Sequence, residues 1–285
     1  MAGLGVALLL HPVAQLSWTS FTVHWSTVLG LAALAGLYEW RARAAVKDPA
    51  AGAPPSGAQR ALFMTGLVVI FLSLNGPLHD LSDSFLFSAH MVQHLVLTLV
   101  VPPLLIAGTP ASLFRQALRS RTVERVARVI SKPIACYAIF NVVLTVWHLP
   151  LFYNLAVAHH PVHIAQHLMF LTAATLMWWP LMSPLPELPR LPYPMQMLYI
   201  FLMTIPMSII AIFITYADEV LFPGYASAPR IWGISPMQDQ LFGGLIMWIP
   251  GGLFFAGVMA VVFFKWAARD SDTTAGAQAG WRPAA

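Results

Sequence analysis

Charge is scarce in this sequence of 285 residues. Asp, Glu, Lys and Arg make up 9% of it, while the hydrophobic fraction is 58% and the mean hydropathy is +0.71. A soluble domain carries roughly a quarter of its residues charged, because its surface must face water. A water-soluble globule is therefore excluded. Cysteine is nearly absent too: the single Cys136 rules out an intrachain disulfide, a CxxC redox pair and a cysteine-built zinc or iron–sulfur site. The opening MAGLGVALLLH lacks a basic stretch before its short apolar run, so no cleaved signal peptide is expected. The sequence also contains no HExxH zinc-protease helix, no phosphate-binding loop and no dinucleotide fingerprint.

What is present instead is long apolar runs. A bilayer core about 30 Å thick takes about 20 mostly apolar residues as helix, because lipid offers the backbone no hydrogen-bond partners. Seven segments meet this demand: 21–41, 59–75, 84–107, 132–149, 160–182, 194–216 and 239–266. The expected fold is all-α and polytopic, with a seven-helix transmembrane domain over 21–267. An outer segment, 1–20, precedes it and a disordered cytoplasmic tail, 268–285, follows. Residues 48–58 read as a Pro/Gly/Ala hinge. Pro102-Pro103, Pro206 and Pro250-Gly251-Gly252 are expected to kink or interrupt their helices.

The 15 basic residues set the orientation. Arg41, Arg43, Lys47 and Arg60 flank the first connection, and Arg115 to Lys132 fill the third. Arg190 lies in the fifth, and Lys265, Arg269 and Arg282 follow the last span, which leaves only Arg230 on the opposite side. Basic residues stay cytoplasmic, so the N-terminus is expected outside and the C-terminus inside. In the third connection Val123, Val126, Ala127 and Ile130 recur at helical spacing among arginines. That pattern fits a helix lying on anionic membrane lipid, and nucleic acid is not an expected partner.

In this frame all 10 histidines fall in the outer half. His90-Met-Val-Gln-His94 and His163-Ile-Ala-Gln-His167 are both HxxxH, with Gln before the second His. Residues i and i+4 of a helix are about 6 Å apart on one face, so each pair can hold one ion or join ligands from a neighbouring helix. His148 enters from the end of the fourth span, and His160 aligns with His167 two turns on. Met91 and Met247 add thioether sulfur where they face inward. Asp83 and Asp239 are candidates to accept the second N–H of a ligating imidazole. Intramembrane ionisable residues are costly and mark function. Imidazole suits copper, zinc and iron, while thioether favours Cu(I). Copper, a bis-His haem and a His/Asp zinc hydrolase all remain open on these residues.

His90-Met-Val-Gln-His94 runs into Leu-Thr-Leu-Val-Val-Pro-Pro-Leu-Leu-Ile-Ala-Gly-Thr-Pro110. This stretch resembles the caa3-type CtaG family of cytochrome c oxidase assembly factors. So do Trp147-His148-Leu-Pro150, the segment His163 to His167 with Trp178-Trp179-Pro180, and Asp239-Gln240-Leu241-Phe242-Gly243-Gly244. The likeness extends over about residues 20–268, in the same order. It implies a multi-pass protein of the bacterial plasma membrane that matures a haem–copper oxidase by handling copper for it. Such a protein is not an enzyme, and its partners are oxidase subunits and a copper donor protein.

Overall fold

A computed structural model describes residues 21–47 and 52–280, with side chains described as far as residue 270. Among these residues the chain is all helix and connection, without strands. In order, α1 is Trp25–Lys47, α2 Gly57–Ser73, α3 Pro77–Ser84 and α4 Phe87–Leu95. A π-helical turn, Val96–Val100, joins α4 to α5, Val101–Ala107. Then come α6 Ala111–Ala117, α7 Arg121–Ile130, α8 Pro133–His148, α9 Pro150–Ala158 and α10 His160–Met182. The last are α11 Tyr193–Thr215, α12 Pro223–Ala226 and α13 Pro236–Gly280.

Each of the seven apolar segments coincides with helix. Among the described residues, three stretches are by length and composition apolar enough to cross a membrane: Phe87–Ala107, Tyr193–Thr215 and Pro236–Asp270. The number rises to five if two bent pairs, α2 with α3 and α7 with α8, each count as one span. Large apolar side chains such as Leu29, Ile134, Leu168, Ile209, Leu253 and Phe264 stand exposed around the bundle. A surface so apolar has no use in water and suits lipid.

Local chemistry explains where the helices begin. Ser56 and Gln59 form a reciprocal capping box at the start of α2. Proline occupies the first turn of α3, α8, α9, α10, α11 and α12, where its missing N–H costs nothing. Pro206 and Pro250 do not interrupt their helices, for α11 and α13 run through them. The Pro102-Pro103 pair does disturb its helix, at the π turn. Pro102 has no N–H to give the carbonyl of Thr98, and the indole of Trp178 on α10 donates to that oxygen instead, at 2.9 Å.

The main core is built by α4, α8, α10, α11 and α13 around Phe87, Met91, Phe140, Phe170, Met203 and Met207. A second cluster, with Tyr38, Phe63, Leu67 and Val101, packs α1 and α2 against the π turn and α5. Gly244 lets α13 approach α11: a Cβ there would meet Thr215 Oγ1 and, at 3.0 Å, the carbonyl of Ala211. The amphipathic segment of the third connection forms α7, which buries no residue. Helix α13 continues to Gly280, where an unstructured tail was expected from 268. The outer segment 1–20, which includes His11, lies outside the described residues, as do 48–51 of the hinge and 281–285.

Candidate metal centre

The four paired histidines meet between α4 and α10. His90 and His94 lie one turn apart with ring centroids 4.2 Å apart, and His163 and His167 with centroids 4.4 Å apart. Across the interface the centroids stand at 5.7 Å for His90–His163, 6.1 Å for His90–His167 and 5.6 Å for His94–His167. Among the described residues, two groups of potential ligands each bring their ligand atoms within 4.8 Å of one another. One is His90, His94 and His167; the other is Asp83, His90 and His163. His90 belongs to both. Donors held at about 2.0–2.1 Å from one ion stand at most about 4 Å apart, so side-chain movements of about an ångström close either group.

The polar atoms fit a ligand. Both ring nitrogens of His90 and of His94 are buried without a hydrogen-bond partner, as is Nε2 of His167. Leaving such groups dry and unpaired is expensive, whereas a cation engages their lone pairs directly. A negative charge sits beside them: Asp83 Oδ2 is 3.6 Å from His163 Nδ1 and 3.4 Å from His79 Nε2. Neither contact has hydrogen-bond geometry. A cavity of about 300 Å³ reaches His163 and His167 from the side of α1, past His24, His79 and His160.

A family model described as "Cytochrome c oxidase caa3 assembly factor (Caa3_CtaG)" matches residues 34–269. The chain belongs to this family. It is also similar to "Uncharacterized protein Mb0105" of Mycobacterium bovis, at 28% identity over 66% of this chain and 31% of that one. "Uncharacterized protein ML1998" of Mycobacterium leprae is 27% identical over 73% of this chain and 34% of its own length. The chain thus spans about a third of the length of the curated relatives it matches. No solved structure matches it.

Around the imidazoles, this Caa3_CtaG chain differs in part from the sequence reading. Asp239 does not touch an imidazole. Its carboxylate accepts from the backbone N–H of Phe87 at 2.7 Å, the N–H of Ser88 at 3.0 Å and the Ser88 hydroxyl at 2.6 Å. It caps α4 from α13 and so seats the helix that carries His90. His160 faces the 300 Å³ cavity, its ring 6.3 Å from that of His24, away from the two ligand groups. His148 comes within 6.1 Å of the His94 ring, and Met91 and Met247 line a small cavity beside both.

His79 and Gln93 are additions that spacing did not reveal. The Gln93 amide nitrogen donates to the carbonyl of Ser73 at 2.6 Å and lies 3.2 Å from His79 Nδ1. An amide nitrogen only donates, so His79 accepts at Nδ1 and carries its proton on Nε2, facing Asp83. The glutamine of the first HxxQH thus holds a third element, α3, against the centre. The turn at Gly76 makes this possible, with φ of 69° and a backbone N–H bonded to Thr22 O at 2.9 Å. Beyond α4, Tyr153 packs 5.4 Å from the His90 ring and donates to Tyr225, which donates to Ser82 O. Burial and the charge of Asp83 push the ionisation of Tyr225 well up, so that its hydroxyl stays a neutral donor.

Proposed function

We propose that this oxidase assembly factor handles copper as cargo, at the centre formed by His90, His94, His163, His167 and Asp83. The reading is supported chiefly by one observation: buried imidazoles from two helices converge with ring nitrogens left without partners. Imidazole with one carboxylate binds copper and zinc alike, and the client oxidase of the family makes copper the cargo of choice. The close contact between the His pairs of α4 and α10 argues against a porphyrin lodged between them. The protein acts as a carrier rather than an enzyme, taking copper from a donor protein and passing it to an oxidase subunit.

In this reading all seven apolar segments cross the bacterial plasma membrane, with the N-terminus outside. Helices α1 and α10, of 23 residues each, are long enough for a bilayer at about 1.5 Å per residue. The histidines then face the side on which copper is delivered, and Arg121 to Arg128 of α7 rest on the cytoplasmic leaflet. The test is oxidase activity in cells carrying His90→Ala, His94→Ala, His163→Ala or His167→Ala. Each lowers it, while the membrane abundance of the assembly factor stays near normal. Full oxidase activity in the quadruple variant, at normal abundance and without added copper, would leave a scaffold and no copper handling.

A further inference from the structure

His94 borders a second cavity that Asp83, His90, His163 and His167 do not line. Its volume is about 20 Å³, room for one ion or one water, since a single water needs roughly 10–15 Å³. Two imidazoles reach it, His94 from α4 and His148 from α8, together with Met91, Met207 and Met247 from α4, α11 and α13. The three methionines are 0%, 5% and 4% exposed.

His148 is set for ligation. Its Nδ1 lies 2.7 Å from the carbonyl of Leu144, so the proton is on Nδ1 and is donated there. The bare lone pair is then on Nε2, which is buried without a partner. A backbone carbonyl fixing one nitrogen so that the other can bind is how metal-ligating imidazoles are oriented. Phe170 packs 4.7 Å from the His94 ring and 5.9 Å from the His148 ring and helps keep the cavity dry. The lining offers lone pairs and polarisable sulfur without a carboxylate. A hard divalent ion would remain uncompensated there, whereas a soft monovalent ion is matched by thioether and imidazole.

We propose that His94, His148, Met91, Met207 and Met247 form a second cation site, selective for a soft monovalent ion of the Cu(I) type. The inference deepens the copper reading and rests on it for the identity of the cargo. Sharing His94, the two sites form a path along which the donor set softens from carboxylate and imidazole to imidazole and thioether. The ion need not change oxidation state along it.

Silver(I), which is soft, monovalent and redox-inert, is the probe. Purified full-length protein carrying Cys136→Ala is loaded with Ag(I), and X-ray absorption at the silver edge reads the neighbouring atoms. We expect sulfur scattering. It should disappear in the volume-conserving Met91→Leu/Met207→Leu/Met247→Leu variant, weaken in His148→Gln, and persist in Asp83→Asn/His163→Ala. Silver bound through nitrogen and oxygen alone in the protein with all its methionines overturns the soft site and leaves the imidazole centre intact. Sulfur scattering that survives the triple substitution also overturns it. Failure of that protein to bind either silver or copper removes both sites.

Discussion

Asp239 and Asp83 look equivalent in the sequence, as carboxylates near histidines, and the structure places them differently. Asp239, fully buried, receives three hydrogen bonds at the start of α4. In Asp239→Ala the Ser88 hydroxyl can turn to another acceptor, but the N–H groups of Phe87 and Ser88 remain dry and unpaired. Each costs about 1–3 kcal/mol, so the loss of stability should be about 4 kcal/mol. Asp239→Asn keeps one carbonyl acceptor and should lose about half as much. Asp83→Asn, which disturbs contacts with His79 and His163 but no helix cap, should leave stability near that of the wild type and weaken copper binding by at least the roughly 10- to 100-fold that loss of an outer partner of a ligand costs. Denaturant unfolding in detergent, paired with a copper competition titration, separates the two effects. An Asp239→Ala protein that unfolds like the wild type but releases copper would refute the cap and return Asp239 to the metal centre.

Three further outcomes follow from particular contacts. Trp178→Phe leaves the Thr98 carbonyl beside the π turn without a donor and should cost about 1–3 kcal/mol. Trp179→Phe is its control, because the Trp179 indole N–H has no partner to lose; thermal unfolding in detergent compares them. Gly244→Ala pushes a methyl group against the backbone of α11 and should destabilise by about 1–3 kcal/mol in the same assay. A reporter active only outside the cell should work when inserted within 227–235 and fail within 184–191; the reverse would turn the histidines toward the cytoplasm.

The helices were legible because apolar runs of bilayer length have few alternatives, and the HxxxH pairs because i,i+4 spacing alone puts two rings on one face. The sequence could not show that α4 and α10 bring their pairs together, since contact between helices depends on packing across many residues. His79 has no second histidine one helical turn away, with Asn75 and Asp83 at those positions. Its place beside Asp83 depends on the turn at Gly76 and on Gln93, although the His79-x-x-x-Asp83 spacing was an available signal. The role of Asp239 was hidden for a similar reason, as its partners lie 152 and 151 residues away. Helices α3, α6, α9 and α12 are too short for periodicity to reveal. The π turn reflects a carbonyl freed by Pro102 and claimed by Trp178, which requires knowing that the two are neighbours.

The central claim is that the converging imidazoles hold copper, and metal analysis of purified, copper-loaded and desalted protein tests it most directly. The wild type should retain copper, and His90→Ala/His94→Ala/His163→Ala/His167→Ala should retain far less while staying folded by circular dichroism. Equal copper in both proteins, or none in the wild type, would contradict the account.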